Sequence, residues 1–195
     1  PMLLCGTAHL PASKSISARA LILGATAGNV VLHNLSEADD TRILHAALQS
    51  REEIKDMGAA GTAMRFGTAH FATIEGTHVL TGSKRMKERP IGILVDALRT
   101  LGAEIDYMEK EGFPPLRIRG KQLAGGTLRL AANVSSQYIS ALLMIAPRMA
   151  APLTLVLEGE IASAPYIDMT LALMQRFGCK ARREGAAMIV VDNHV

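Results

Sequence analysis

The residues of this 195-residue chain best suited to chemistry are hydroxyls and cations gathered at three short turns, each running directly into an apolar stretch. The first is Ser13-Lys14-Ser15, followed by Ser17 and Arg19; the second is Gly58 to Thr62, followed by Arg65; the third is Ser135-Ser136-Gln137. If helices begin there, each start leaves unpaired backbone N–H groups and carries about half a positive charge. One such end stabilises an anion by about 0.3 to 1 kcal/mol, up to about 2 when partly buried. Small residues let a ligand approach those N–H groups, and hydroxyls and an amide add side-chain contacts. Lys14 and Arg19 stand beside a positive helix end, an unfavourable place for cations unless an anion joins them. A fourth basic element, Ser83 to Pro90 (SKRMKERP), sets Lys84, Arg85, Lys87 and Arg89 against Glu88 alone. By itself that run reads as a solvated loop. Beside three hydroxylated helix starts it becomes a candidate partner for carboxylate or phosphate, which the planar fork of arginine suits. Ser17 and Thr62 read as helix caps rather than ligand contacts, and Arg65 and Lys87 as partners of neighbouring acids.

The elements that must carry these turns repeat along the chain. A strand-like stretch from Leu3 to Leu10, closed by Pro11, precedes the first serine turn. Ala20 to Ala27 shows almost no polar face and predicts a helix buried on every side. Val30 to Leu35 predicts a strand, and Asp39-Asp40-Thr41 starts an amphipathic helix with Ile43, Leu44, Ala47 and Leu48 on one face. The order returns with a strand at Ile54 to Met57, an apolar helix at Ala63 to Phe71, and a strand at Thr77 to Thr81. An amphipathic helix opened by Arg89-Pro90 follows, then paired strands at Ile105 to Met108 and Leu116 to Arg119. It returns again with a strand at Thr127 to Leu130, a helix at Gln137 to Ala146 and a strand at Leu153 to Glu158. Ala164-Pro165 then opens an amphipathic helix, and a hairpin from Cys179 to Val191 closes the unit. The expected fold is therefore α/β: one domain of three repeated units, with parallel inner helices covered by outer helices and sheets. The first unit is shortened, since only Ser50 to Glu53 separate its second helix from the next strand.

Composition narrows the function. Hydrophobic residues make up 49% of the chain, enough for a real core, but aromatics only 4%, so Leu, Ile, Val, Met and Ala must fill it. A net charge of +3, no Trp and only seven Phe and Tyr argue against nucleic acid as partner. Cys5 and Cys179 match no ligand or disulfide spacing, and the six histidines are scattered. No metal and no cofactor are expected, and the thiols suit a reducing compartment. No apolar run approaches membrane-spanning length, so the expectation is a cytoplasmic protein without a membrane partner.

The stretches PASKSISARAL, AAGTAMR, TGSKRMKERPIG, VSSQYISALLM and SAPYIDMT, taken together and in this order, resemble the enolpyruvyl transferases, specifically the family acting on shikimate 3-phosphate. The resemblance implies a fold of two similar domains, each of three βαβαββ units, with the active site in the cleft between them. It implies transfer of the enolpyruvyl group of phosphoenolpyruvate to the 5-hydroxyl of shikimate 3-phosphate with release of phosphate, a step toward chorismate and the aromatic amino acids. On its terms Lys14, Ser15, Arg19, Ser135, Ser136, Gln137, Ser163 and Tyr166 bind shikimate 3-phosphate. Lys14, Gly61, Arg85 and Gln137 bind phosphoenolpyruvate and, by mimicry, the herbicide glyphosate. Ala59, where the family usually has Asn, and Phe66, where it has Pro, are departures. Family members are about twice as long as this chain, and their acid and base groups belong to the other half. The chain is thus expected to be an N-terminal domain: residues 1–12 as strand and hinge toward the second domain, with units of about 13–53, 54–120 and 124–195. It should be a monomer that binds small anionic substrates and turns over nothing alone. Two alternatives are a UDP-sugar enolpyruvyl transferase, disfavoured because no cysteine lies between Cys5 and Cys179, and a non-catalytic anion- or RNA-binding module of the same repeat.

Overall fold

The computed structural model describes residues 10–28, 30–161, 163–185 and 187–194. The strand expected at Leu3 to Leu10 therefore lies almost wholly outside the described residues. Helix α1 (Lys14–Ala27) begins at Ser13, whose Oγ accepts the Ile16 N–H at 3.4 Å. Of the three serines that could cap it, Ser13 does so, while the Ser17 hydroxyl accepts from Ser36 N at 2.9 Å and ties the next segment down. Val30 to Leu35, expected as a strand, pairs with no strand among the described residues; Asn34 has φ 54, and Leu32 packs over Gly24 of α1.

The two complete units share one plan. The shortened unit ends with α2 (Asp39–Gln49), and the first complete one opens with β1 (Ile54–Asp56), α3 (Gly61–Ala72) and β2 (Gly76–Thr81). Then come α4 (Lys84–Lys87), α5 (Gly92–Thr100), β3 (Glu104–Tyr107) and β4 (Leu116–Gly120), and the sheet runs β1-β2-β4-β3. The last unit repeats this with β5 (Gly126–Ala131), α6 (Ser136–Ile145), β6 (Leu153–Glu158), α7 (Ala164–Arg176), β7 (Ala181–Glu184) and β8 (Met188–Val191), in the order β5-β6-β8-β7. In each sheet the first pair is parallel, joined across a buried helix, and the remaining pairs are antiparallel. The shortened first unit is observed directly, since α2 ends four residues before β1 and no strand pair intervenes.

Burial separates inner from outer helices. Every residue of α3 is buried except Thr62 and Arg65, and every residue of α6 except Ser136 and Gln137. Helices α2, α5 and α7 bury one face each, through Leu44 and Ala47, through Leu94, Val95 and Leu98, and through Ile167, Leu171 and Met174. The all-round burial expected of α1 fails in its last turn, where Gly24 to Ala27 are half-buried or exposed. The basic segment is no loop: Ser83 caps the one-turn helix α4, which buries Met86. Pro90 does not open α5, which starts two residues later behind Ile91. No described helix is long and apolar enough to cross a membrane.

Candidate functional site

Polar residues at the starts of the inner helices face one place. Lys14, Ser15 and Arg19 of α1, Thr62 and Arg65 of α3, and Ser136 and Gln137 of α6 line a cavity of about 450 Å³, together with Ser135, Arg89 and Tyr166. Three helix starts thus meet at one cavity, as the recurring turns predict. Four cations line it and no carboxylate does, so its field attracts anions.

Arg19 is the most deeply held of the four, at 2% exposure. Its Nε donates to Thr170 Oγ1 at 2.7 Å, and its terminal nitrogens donate to Ser15 O at 3.0 Å and Ser140 Oγ at 3.1 Å. Hydroxyls and carbonyls, not acids, surround it. Burial pushes its pKa down to about 10, which leaves the guanidinium charged at neutral pH. A buried charge without a counter-ion is costly, and an incoming carboxylate or phosphate would offset that cost.

Arg65 ties two helix starts together. Its NH1 donates to Gln137 Oε1 at 2.9 Å and to Gly61 O at 3.3 Å, and Gln137 Nε2 reaches Thr62 Oγ1 at 3.4 Å. Arg65 Nε is buried without a partner. Lys14 pairs with Asp40 at 3.2 Å, and the same carboxylate accepts the Thr62 N–H at 3.3 Å. Asp40 therefore occupies part of the positive end of α3 from a neighbouring helix. Ser135 Oγ caps α6 by accepting from Gln137 N at 3.3 Å.

Of the residues singled out from the sequence, Lys14, Ser15, Arg19, Ser135, Ser136, Gln137 and Tyr166 line the cavity. Three do not. Ser163 precedes α7 without lining it. Gly61 is buried beneath the lining, and a Cβ added there would come within 2.5 to 2.8 Å of the Arg89 guanidinium. Arg85 is exposed on α4 and stands outside the cavity, so Arg89 is the cation that the basic segment contributes. A helical turn explains the difference. Arg85 and Arg89 are four positions apart, but α4 ends at Lys87, so the chain turns Arg89 inward while Arg85 stays on the outer face. Thr62 and Arg65, read as a cap and as an acid partner, belong to the lining instead; Arg65 pairs with an amide, not an acid. Their signal in the sequence was their polarity within an otherwise apolar helix. Among the described residues no group of three or more His, Cys, Asp or Glu lies close enough to hold a metal.

Known proteins share the sequence and the fold of this chain. Residues 45–193 match the family described as EPSP synthase (3-phosphoshikimate 1-carboxyvinyltransferase). A 3-phosphoshikimate 1-carboxyvinyltransferase of Bacteroides fragilis strain YCH46 is 54% identical over 193 residues, covering 98% of this chain and 47% of the relative. One from Shewanella pealeana is 42% identical, with 95% and 50% covered. The chain spans about half the length of the curated relatives it matches. The fold is that of EPSP synthase from Acinetobacter baumannii, with a TM-score of 0.84 at 22% identity over 96% of this chain and 46% of that one. With a family match across most of its length and the same repeated architecture, the chain belongs to the EPSP synthase (3-phosphoshikimate 1-carboxyvinyltransferase) family.

Proposed function

We propose that this chain is the shikimate 3-phosphate-binding half of a transferase that moves the enolpyruvyl group of phosphoenolpyruvate to the 5-hydroxyl of shikimate 3-phosphate and releases phosphate. The observation that carries this reading is the single cavity fed by three helix starts and four cations, with no acid in its lining. The two substrates together bring two phosphates and two carboxylates. Charge-assisted hydrogen bonds to such groups contribute about 1.5 to 3 kcal/mol each. The hydroxyls of Ser135 and Ser136 at the start of α6 suit the sugar phosphate, and Ser15, Arg19 and Tyr166 suit the rest of that substrate. Lys14, Gln137 and Arg89, the last resting on Gly61, suit phosphoenolpyruvate. Arg89 takes the role expected of Arg85.

Addition across the enolpyruvyl double bond needs proton donors and acceptors on both faces of the reacting carbon. No carboxylate lines the cavity, and this reading assigns the carboxylates of the reaction to the other half of the family's length. The repeated units are assigned as about 13–53, 54–120 and 124–195. The partners are the small anionic substrates and that second half; no nucleic acid and no second copy enter the reading. The free, buried Cys179 supports a cytoplasmic setting.

Calorimetric titration tests the reading. Shikimate 3-phosphate should bind saturably and more tightly than inorganic phosphate, while RNA should not compete. Replacing both Ser135 and Ser136 by Ala should weaken shikimate 3-phosphate binding at least about tenfold, the loss of one to two charge-assisted bonds. Equal affinity for shikimate 3-phosphate and inorganic phosphate would overturn the assignment.

A further inference from the structure

We infer that Tyr138 is a positioning residue that holds two arginines of the cavity, Arg89 through its hydroxyl and Arg65 through its ring. The inference extends the reading above, because it matters to function only if the cavity binds the proposed anions. Tyr138 is 7% exposed, in the first turn of α6, and is not itself part of the lining. Its hydroxyl donates to the Pro90 carbonyl at 2.9 Å, across 48 positions of sequence. Pro90 directly follows Arg89, so the bond fixes the main chain at the point where the Arg89 side chain departs.

Arg89 needs such fixing. None of the ion pairs among the described residues takes its guanidinium. Its side chain rests against Gly61 at the start of α3, a positive end that repels rather than anchors a cation. What holds Arg89 over the cavity is therefore its backbone: Arg89 N donates to Met86 O at 3.0 Å on one side, and the Tyr138 bond acts on the other. The ring of the same tyrosine lies 5.5 Å from Arg65 Cζ, within cation–π range. Arg65 Nε has no hydrogen-bond partner, so the ring face helps set the plane of that guanidinium. One buried side chain thus sets the spacing between a cation of α3 and a cation of the basic segment.

A tyrosine that merely filled the core would be replaced by phenylalanine at little cost, which makes the hydroxyl the discriminating atom. The full chain, Tyr138→Phe and Tyr138→Leu are labelled with phenylglyoxal, and the rates at Arg65 and Arg89 are read by peptide mass spectrometry. In Tyr138→Phe we expect Arg89 to react about fivefold faster, the change in local opening that one lost hydrogen bond gives. Arg65 should keep its wild-type rate, and the melting temperature should stay near wild type. In Tyr138→Leu both arginines should react faster; if that variant does not fold, Tyr138→Phe alone decides. Equal labelling of Arg89 in wild type and Tyr138→Phe would overturn the positioning role. Failure of the wild-type chain to bind shikimate 3-phosphate or inorganic phosphate would instead overturn the functional reading and leave the labelling result to stand by itself.

Discussion

His70 and Arg19 are both polar side chains buried on inner helices, and they differ in how burial is met. Arg19 keeps its charge because hydroxyls and carbonyls satisfy most of its donors beside the cavity. His70 sits deep in α3 with Nδ1 unpartnered, and burial, aided by nearby Arg148 and His78, pushes its pKa down to about 3. It is therefore neutral in the folded chain and protonates near pH 6.5 once unfolded. The unfolded state binds the extra proton, so this contribution is complete above about pH 6.5 and is lost as pH falls from there toward 3. Denaturation midpoints should accordingly decline between pH 6.5 and 4 in the wild-type chain, and His70→Leu should flatten that decline. Identical pH slopes in both chains would show that His70 does not set acid stability.

At the scale of elements, α3 and α6 are buried except near their starts. Gly61 makes the start of α3 usable. As the first residue of α3 it leaves space that the guanidinium of Arg89 fills, with three atoms of Arg89 within 2.8 Å of where a Cβ would stand. Gly61→Ala should therefore displace Arg89, whose far end is flexible, rather than unfold the helix. The expected result is a melting temperature near wild type and affinity for inorganic phosphate reduced about fivefold, the loss of one cation contact in an exposed cavity. Gly120 provides the contrast. A Cβ there would fall 1.7 Å from the carbonyl oxygen of Ile74, which cannot move aside, so Gly120→Ala should lower stability markedly by thermal melting.

For the whole molecule, the two sheets of identical strand order frame inner helices that aim at one side only. The cavity there is open, lined by cations and without an acid of its own. A site that binds anions but has no carboxylate to accept the proton of the attacking hydroxyl should bind without turning over. Incubated with phosphoenolpyruvate and shikimate 3-phosphate, this chain alone should release no phosphate above background. Addition of the remaining half of a relative, in trans or fused, should restore release. Phosphate release by the 195-residue chain alone would place the acid–base groups within it.

What the sequence by itself determined is what depends on neighbours within a few positions. The apolar runs after SKS, AGT and SSQ became buried helices because 3.6-residue periodicity and first-turn capping are local properties, and the repeat of sheet and helix followed from their order. Lys14, Ser15 and Ser135 stood out as candidates for the lining because each lies at the start of an inner helix, although a hydroxyl there also caps, as Ser135 does. What only the tertiary structure decided lies across long separations. Whether Arg85 or Arg89 enters the cavity depends on where the one-turn α4 stops and on the bond from Tyr138 to Pro90, neither encoded in the spacing of the basic run. Arg65 looked like half of a surface ion pair until α6 brought Gln137 beside it, 72 positions away. Val30 to Leu35 carries a strand's composition, but composition does not supply the neighbour a ladder needs, and no described strand pairs with it.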